Sequence, residues 1–317
     1  NRFSSIFIPG GMPTFTYNPR TELDLEGRLR EAFLDDNKLI TLTGLTKTGK
    51  TVLAKKIFPK SECIWFDGGM YNIESDFWEY FLEKLDLYNT KQEDKNDAIG
   101  SELAVSASVE SPIPLLRAKL GLGAKITSNI ARRSGRSRSV SAKILVLDEL
   151  TNNPRPVVID DFHYIPKEEQ GKIIRAFKGL IFEGIPIVII AIPHRRYDAE
   201  RVEREMEGRI NSIQLPSWSI EELSAIGEKG FPLLNMNVSE DGIKKLAAES
   251  FGSPHLMQEY CKSFCKDNHI VEQLDSVVDF SILSEEAIFN DVAANYGRPV
   301  FEKLKRGPRI RTDRVKR

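Results

Sequence analysis

The sequence predicts an α/β fold: a three-layer core on a parallel sheet, followed by a small all-α domain. Three observations predict it. Short β-branched, apolar runs alternate with stretches of helical periodicity as far as residue 215. The first of these runs opens directly into a glycine-framed loop. Beyond Pro216 helical spacing continues to about 290, and no convincing strand interrupts it. The expected organisation is a core over 1–215 and a helical domain over 216–292. A basic tail, or the start of a missing C-terminal domain, follows over 293–317.

The elements follow in order. The run Lys-Leu-Ile-Thr-Leu-Thr at 38–43 reads as a buried strand ending at Gly44. Residues 51–58 read as a helix stopped by Pro59. A second strand is expected over 62–66. Over 75–87 Phe77, Trp78, Phe81, Leu82 and Leu85 recur at amphipathic helical spacing. Residues 90–140 break the rhythm with Ser, Ala, Gly and Lys, and read as an insertion or a mobile arm. A helix over 142–150, a strand at 156–161, a helix over 167–182 and an apolar strand at 185–192 follow. A charged helix over 200–207 and a strand over 210–215 close the core. The alternation implies parallel strands joined by right-handed crossovers.

Gly44-Leu45-Thr46-Lys47-Thr48-Gly49-Lys50-Thr51 matches the Walker A pattern at every defined position. The residue types suit a phosphate cradle. Glycines let backbone N–H groups turn inward, and the helix that follows aims its positive dipole end at the anion. Lys50 is expected on the β- and γ-phosphates of ATP, and the Thr51 hydroxyl on Mg²⁺, with Val52 just behind. Pro-Val-Val-Ile-Asp160-Asp161 supplies an acidic strand end. Asp160 is the expected Mg²⁺ ligand, and Asp161 the group that polarises the attacking water. The fold class is thus a P-loop NTPase core of the ASCE type.

These motifs resemble the AAA+ and STAND branch of P-loop ATPases, the relatives of the origin-recognition ATPases, over nearly the whole chain. Asn18-Pro19-Arg20-Thr21-Glu22 resembles the family's adenine-side segment without its usual Gly, and makes Tyr17 and Pro19 candidates for packing on adenine. The resemblance places a γ-phosphate sensor after the strand at 187–192, where His194 and Arg195 both fit. Glu207-Gly208-Arg209-Ile210 is similar to the arginine-finger box. Arg209 would reach a neighbour's nucleotide, with Arg204 behind it; a local ion pair is the alternative. Phe251-Gly252-Ser253-Pro254-His255 looks like the Gly-x-Pro motif of the lid, with Pro254 over adenine or ribose. His255 and Gln258 stand where the AAA+ sensor-2 arginine would be. Ser219-Ile220-Glu221-Glu222 reads as a capping box opening a lid helix.

The resemblance implies a slowly hydrolysing ATP switch that changes assembly state with nucleotide. It implies a homo-oligomer, a bacterial defence or signalling setting, and an effector or sensor domain outside this chain. The alternative is a DNA-binding ATPase assembly factor of the origin-recognition or transposition-regulator type.

Composition sets the outer bounds. The 317 residues carry a net charge of -1, which argues against a globally basic nucleic-acid binder. Two local clusters, Arg132-Arg133-Ser134-Gly135-Arg136-Ser137-Arg138 and the tail 303–317, leave contact with DNA or RNA open. No aromatics interleave with the arginines, and a solvated loop is the simpler reading. No run approaches the roughly 18 apolar residues of a membrane span. Three cysteines are too few for a disulfide framework, so a cytoplasmic setting is expected, with Cys261 and Cys265 as buried thiols. Asn1 at the first position suggests a trimmed chain.

Overall fold

β1 (Leu39–Gly44) is buried at all six positions, as a strand covered on both faces must be. In this computed structural model it lies between β4 (Ile187–Ala191) and β5 (Ile210–Leu215). The structure describes residues 1–35, 37–87, 141–192, 206, 208–281, 289, 290 and 292. β2 (Ile64–Asp67) and β3 (Val157–Asp160) complete a five-stranded sheet in the order β2-β3-β4-β1-β5. Every pairing is parallel. All five carboxyl ends therefore share one edge, where ligands of open α/β sheets bind.

Alternation along the strands divides the sheet into two faces. Ile40, Leu42, Val158, Val188, Ile190, Ile213 and Leu215 form one cluster with α2 (Leu25–Leu34) and α3 (Lys50–Ile57). From those helices come Leu25, Leu29, Leu53 and Ala54. α6 (Lys167–Phe182) buries a stripe of Ile173, Ile174, Phe177, Leu180 and Ile181. The elements expected at 167–182 and 210–215 match at both ends, and the others shift by up to three residues. Of the helix expected at 200–207 only residue 206 is among the described residues, and the arm at 90–140 and both basic clusters lie outside them.

Residues Tyr71–Pro154 form a compact unit of their own. It contains α4 (Glu74–Lys84) and α5 (Ala142–Asn152). Phe77 meets Phe81 and Trp78 with ring centroids 4.9 and 5.0 Å apart. The Lys143 ammonium lies 3.3 Å from Glu74 Oε1.

The C-terminal domain holds α7 (Ile220–Gly230), α8 (Glu240–Glu249) and α9 (Pro254–Asp267) around a core including Leu223, Leu246, Met257 and Tyr260. Two findings depart from the sequence reading. Met236–Val238 (β6) and Val278–Phe280 (β7) pair in parallel over three residues, too short a span for alternation to reveal. The chain's first residues, expected within the 1–215 core, also pack here. α1 (Phe3–Ile6) delivers Ile6 and Phe7 to this core, both fully buried. Gln258 accepts from Ile8 N at 3.1 Å and donates to Thr16 Oγ1 at 2.7 Å. Burying Phe7 alone is worth about 2 kcal/mol to that attachment. Among the described residues no helix is long and apolar enough to cross a membrane.

Candidate nucleotide site

The parallel sheet brings Gly44, Asp67 and Asp160 to one edge, with Asp67 and Asp160 as register partners. At this edge residues 44–51 turn from β1 into α3. Lys47 (φ +62°) and Gly49 (φ +92°) make the turn in left-handed conformations. Gly44 is required by space: a Cβ there would lie 2.9 Å from the Leu215 carbonyl oxygen. Thr48 Oγ1 donates to the Leu45 carbonyl at 2.8 Å and stiffens the loop. Thr46 is exposed at its tip, and Val52 is half-buried in the first turn of α3.

Lys50 is buried, with its Nζ donating to the carbonyls of Gly44 at 3.0 Å and Leu45 at 2.7 Å. Burial pushes its amine down, and the carboxylates of Asp161 and Asp160 oppose that push. An ammonium held this way at a helix N-terminus is placed to receive an anion. Asp160 is pushed up by burial, while a hydrogen bond from the Thr51 hydroxyl pulls it down. Its Oδ1 also accepts from Asp161 N at 2.9 Å. Thr51 and Asp160 therefore meet side by side and offer hydroxyl and carboxylate oxygens, the hard donors that Mg²⁺ takes. Asp161 follows in a left-handed conformation (φ +50°), which costs a non-glycine residue about 1–2 kcal/mol. Its carboxyl is pushed up by burial and by the charge of Asp67, and down by Lys50.

The sequence reading missed Asp67. It ends Ile64-Trp65-Phe66-Asp67 as Asp160 ends Val157-Val158-Ile159-Asp160, and that shared pattern was the available signal.

The lid reaches the loop through Trp218. Trp218 Nε1 donates to the Thr48 carbonyl at 3.0 Å. Arg20 is buried, pairs with both Glu222 carboxylate oxygens at 2.8 and 2.9 Å, and donates to the carbonyls of Pro216 and Ser217. Its guanidinium lies 5.0 Å from the Trp218 ring centroid. The Ser219–Glu222 capping box is present, so Glu222 serves both the cap and Arg20. Pro254 opens α9 after Ser253, whose hydroxyl accepts from Leu256 N, and Gly252 precedes it at φ +74°. His255 sits against Gly10 and Lys47; burial first and Lys47 second push its imidazole down to about 4. Lys47 in turn feels Glu259 of the same helix.

Other expected residues lie elsewhere. Tyr17 donates its hydroxyl to Glu26 at 2.9 Å, and Lys56 Nζ covers one ring face at 3.6 Å, leaving at most the other face for a base. Pro19 is half-buried beside Arg20. The Arg209 carbonyl accepts from Leu39 N, at the end of β1 opposite the loop. Five residue steps separate those ends, about 17 Å, so Arg209 cannot touch its own chain's phosphate site. Its guanidinium lies 5.6 Å from the Phe182 ring centroid. His194, Arg195 and Arg204 lie outside the described residues.

No family model matches the sequence, and no curated protein matches it. Solved structures do. The chain is similar to Cdc6p from Pyrobaculum aerophilum at 15% identity and a TM-score of 0.50, covering 84% of this chain and 66% of that one. It is similar to a Walker-type ATPase of Pyrococcus abyssi at 13% identity and a TM-score of 0.53, covering 90% and 75%. A STAND protein with a tetratricopeptide repeat sensor from Pyrococcus horikoshii aligns at 14% identity and a TM-score of 0.44, covering 89% of this chain and 32% of that one. The chain has the P-loop NTPase fold, with the sheet order β2-β3-β4-β1-β5 and a C-terminal helical domain. In fold it resembles the AAA+ branch of P-loop ATPases.

Proposed function

We propose that the chain binds ATP with Mg²⁺ at the carboxyl edge of the sheet and hydrolyses it slowly. The observation that carries this reading is the convergence of buried Lys50 with the Thr51–Asp160 pair at the mouth of one loop. Lys50 exchanges its two loop carbonyls for β- and γ-phosphate oxygens. Thr51 and Asp160 hold Mg²⁺, which when bound supplies neutralisation of phosphate charge. Asp161 takes a proton from water as its oxygen bonds to the γ-phosphorus. The bond from that phosphorus to the bridging oxygen breaks, releasing ADP and inorganic phosphate.

Trp218 ties the lid to the loop and Arg20 ties the segment before α2 to the lid, so filling the loop alters the restraint on the lid. We assign to this coupling a switch between assembly states, with Arg209 completing a neighbour's site in a homo-oligomer. A defence or signalling setting, with an effector or sensor domain elsewhere, rests on the family resemblance alone.

The test is Lys50→Ala, which is expected to abolish binding of a fluorescent ATP analogue. Retained wild-type affinity would remove the loop from the function. Turnover stimulated by DNA and falling steeply with salt would instead assign a nucleic-acid assembly factor.

A further inference from the structure

Asp161 has a locked backbone and a loose side chain. Its carbonyl accepts from Tyr164 N at 2.9 Å, and Gly68 packs so closely that a Cβ there would lie 2.5 Å from that oxygen. The turn that follows, Phe162–Tyr164, is pinned from α6, where Gln170 Nε2 donates to the carbonyls of Phe162 at 3.2 Å and Ile165 at 2.7 Å. The Asp161 side chain is nevertheless 48% exposed, with two torsions to restrain. A base that must meet one water oxygen gains from having them fixed, since misplacement by about 1 Å costs on the order of 10²-fold in rate.

His163 lies beside this side chain. Its side chain is 8% exposed, and its ring lies against Tyr164 with centroids 4.3 Å apart. Nδ1 lies 3.8 Å from Asp161 Oδ1. That is about 1 Å longer than a hydrogen bond. Catalytic hydrogen bonds are often long before substrate arrives and tighten in the complex.

We infer that His163 is the positioning residue of the hydrolytic site, donating from Nδ1 to Asp161 and orienting its carboxylate toward the water. This rests on the proposed role of Asp161. His163 touches neither nucleotide nor water; it acts through the carboxylate.

The test is steady-state ATPase of the full chain with two isosteric probes. His163→Asn carries an amide N–H at the Nδ1 position, whereas His163→Gln carries it at the Nε2 position. The Asn variant is expected to stay within about threefold of wild type. The Gln variant is expected to lose kcat by about 10- to 10²-fold with KM for ATP unchanged. In an Asp161→Asn background the Gln substitution is expected to cost nothing further. Equal activity of the two variants, or equal loss, would overturn the assignment to Nδ1, provided that melting curves show both folded. His163→Phe replaces either variant if one fails to fold, and normal kcat in it overturns the proposal. Normal turnover of Asp161→Asn alone removes the carboxylate role, and the positioning role with it. Loss in Asp161→Asn without loss in the His163 variants overturns the positioning role alone.

Discussion

Trp218 donates its indole N–H to the Thr48 carbonyl at 3.0 Å, so a residue at the start of the lid holds the phosphate loop directly. Trp218→Phe keeps an aromatic ring beside Arg20 and removes only the donor. Stability is expected to fall by about 1 kcal/mol, read as a lower urea midpoint. Amide exchange at 45–49 is expected to quicken. Unchanged exchange would show that the bond does not order the loop.

The two acidic residues after β3 are expected to separate by assay. Asp161→Asn retains Mg²⁺-dependent ATP binding and loses turnover by on the order of 10²-fold. Asp160→Asn instead weakens Mg²⁺-dependent binding, because a neutral amide replaces the anionic oxygen that a hard divalent cation takes. Calorimetric titration with and without Mg²⁺, beside phosphate release, distinguishes them. Normal rates in both variants would make the acidic strand end structural.

Arg209 stands at the amino end of β5, a strand's length from its own loop. If it acts, it acts on another chain, where an arginine contribution reaches about 10³-fold in systems that depend on it. Hydrolysis is then expected to rise more steeply than linearly with protein concentration. Arg209→Ala flattens the curve and leaves ATP binding intact, and mixing it with Lys50→Ala restores part of the rate. Strict linearity with no rescue would leave Arg209 as a surface cation against Phe182.

His255 sets an expectation for pH. Burial and Lys47 lower its imidazole from 6.5 to about 4 in the folded chain. The unfolded chain takes up that proton near 6.5, so below this value protons favour unfolding. Stability present above about pH 6.5 is lost as the pH falls towards 4. His255→Gln is expected to flatten the urea midpoint between about pH 7 and pH 5, where carboxylates contribute least. The same slope in the variant would place the proton uptake elsewhere.

The local parts of the site are legible in the order of residues. A strand, a glycine-framed loop and a helix occupy contiguous residues, so Gly44, Gly49, Lys50 and Thr51 are legible as one object. The capping box at Ser219 and Glu222 is legible for the same reason, since its bonds join residues three apart. Asp160 and Asp161 are legible as a strand end because they close a run of apolar residues. Tertiary structure decided the rest. Asp67 joins the site only because β2 pairs in register with β3. Arg20 meets Glu222 across 202 residues of chain, and Gln258 meets Ile8 across 250. Contacts closed over such separations leave no periodicity and no spacing to read, because their partners are selected by packing of whole elements. That packing set Ile6 and Phe7 into the C-terminal core, and it took the His163 ring out of water.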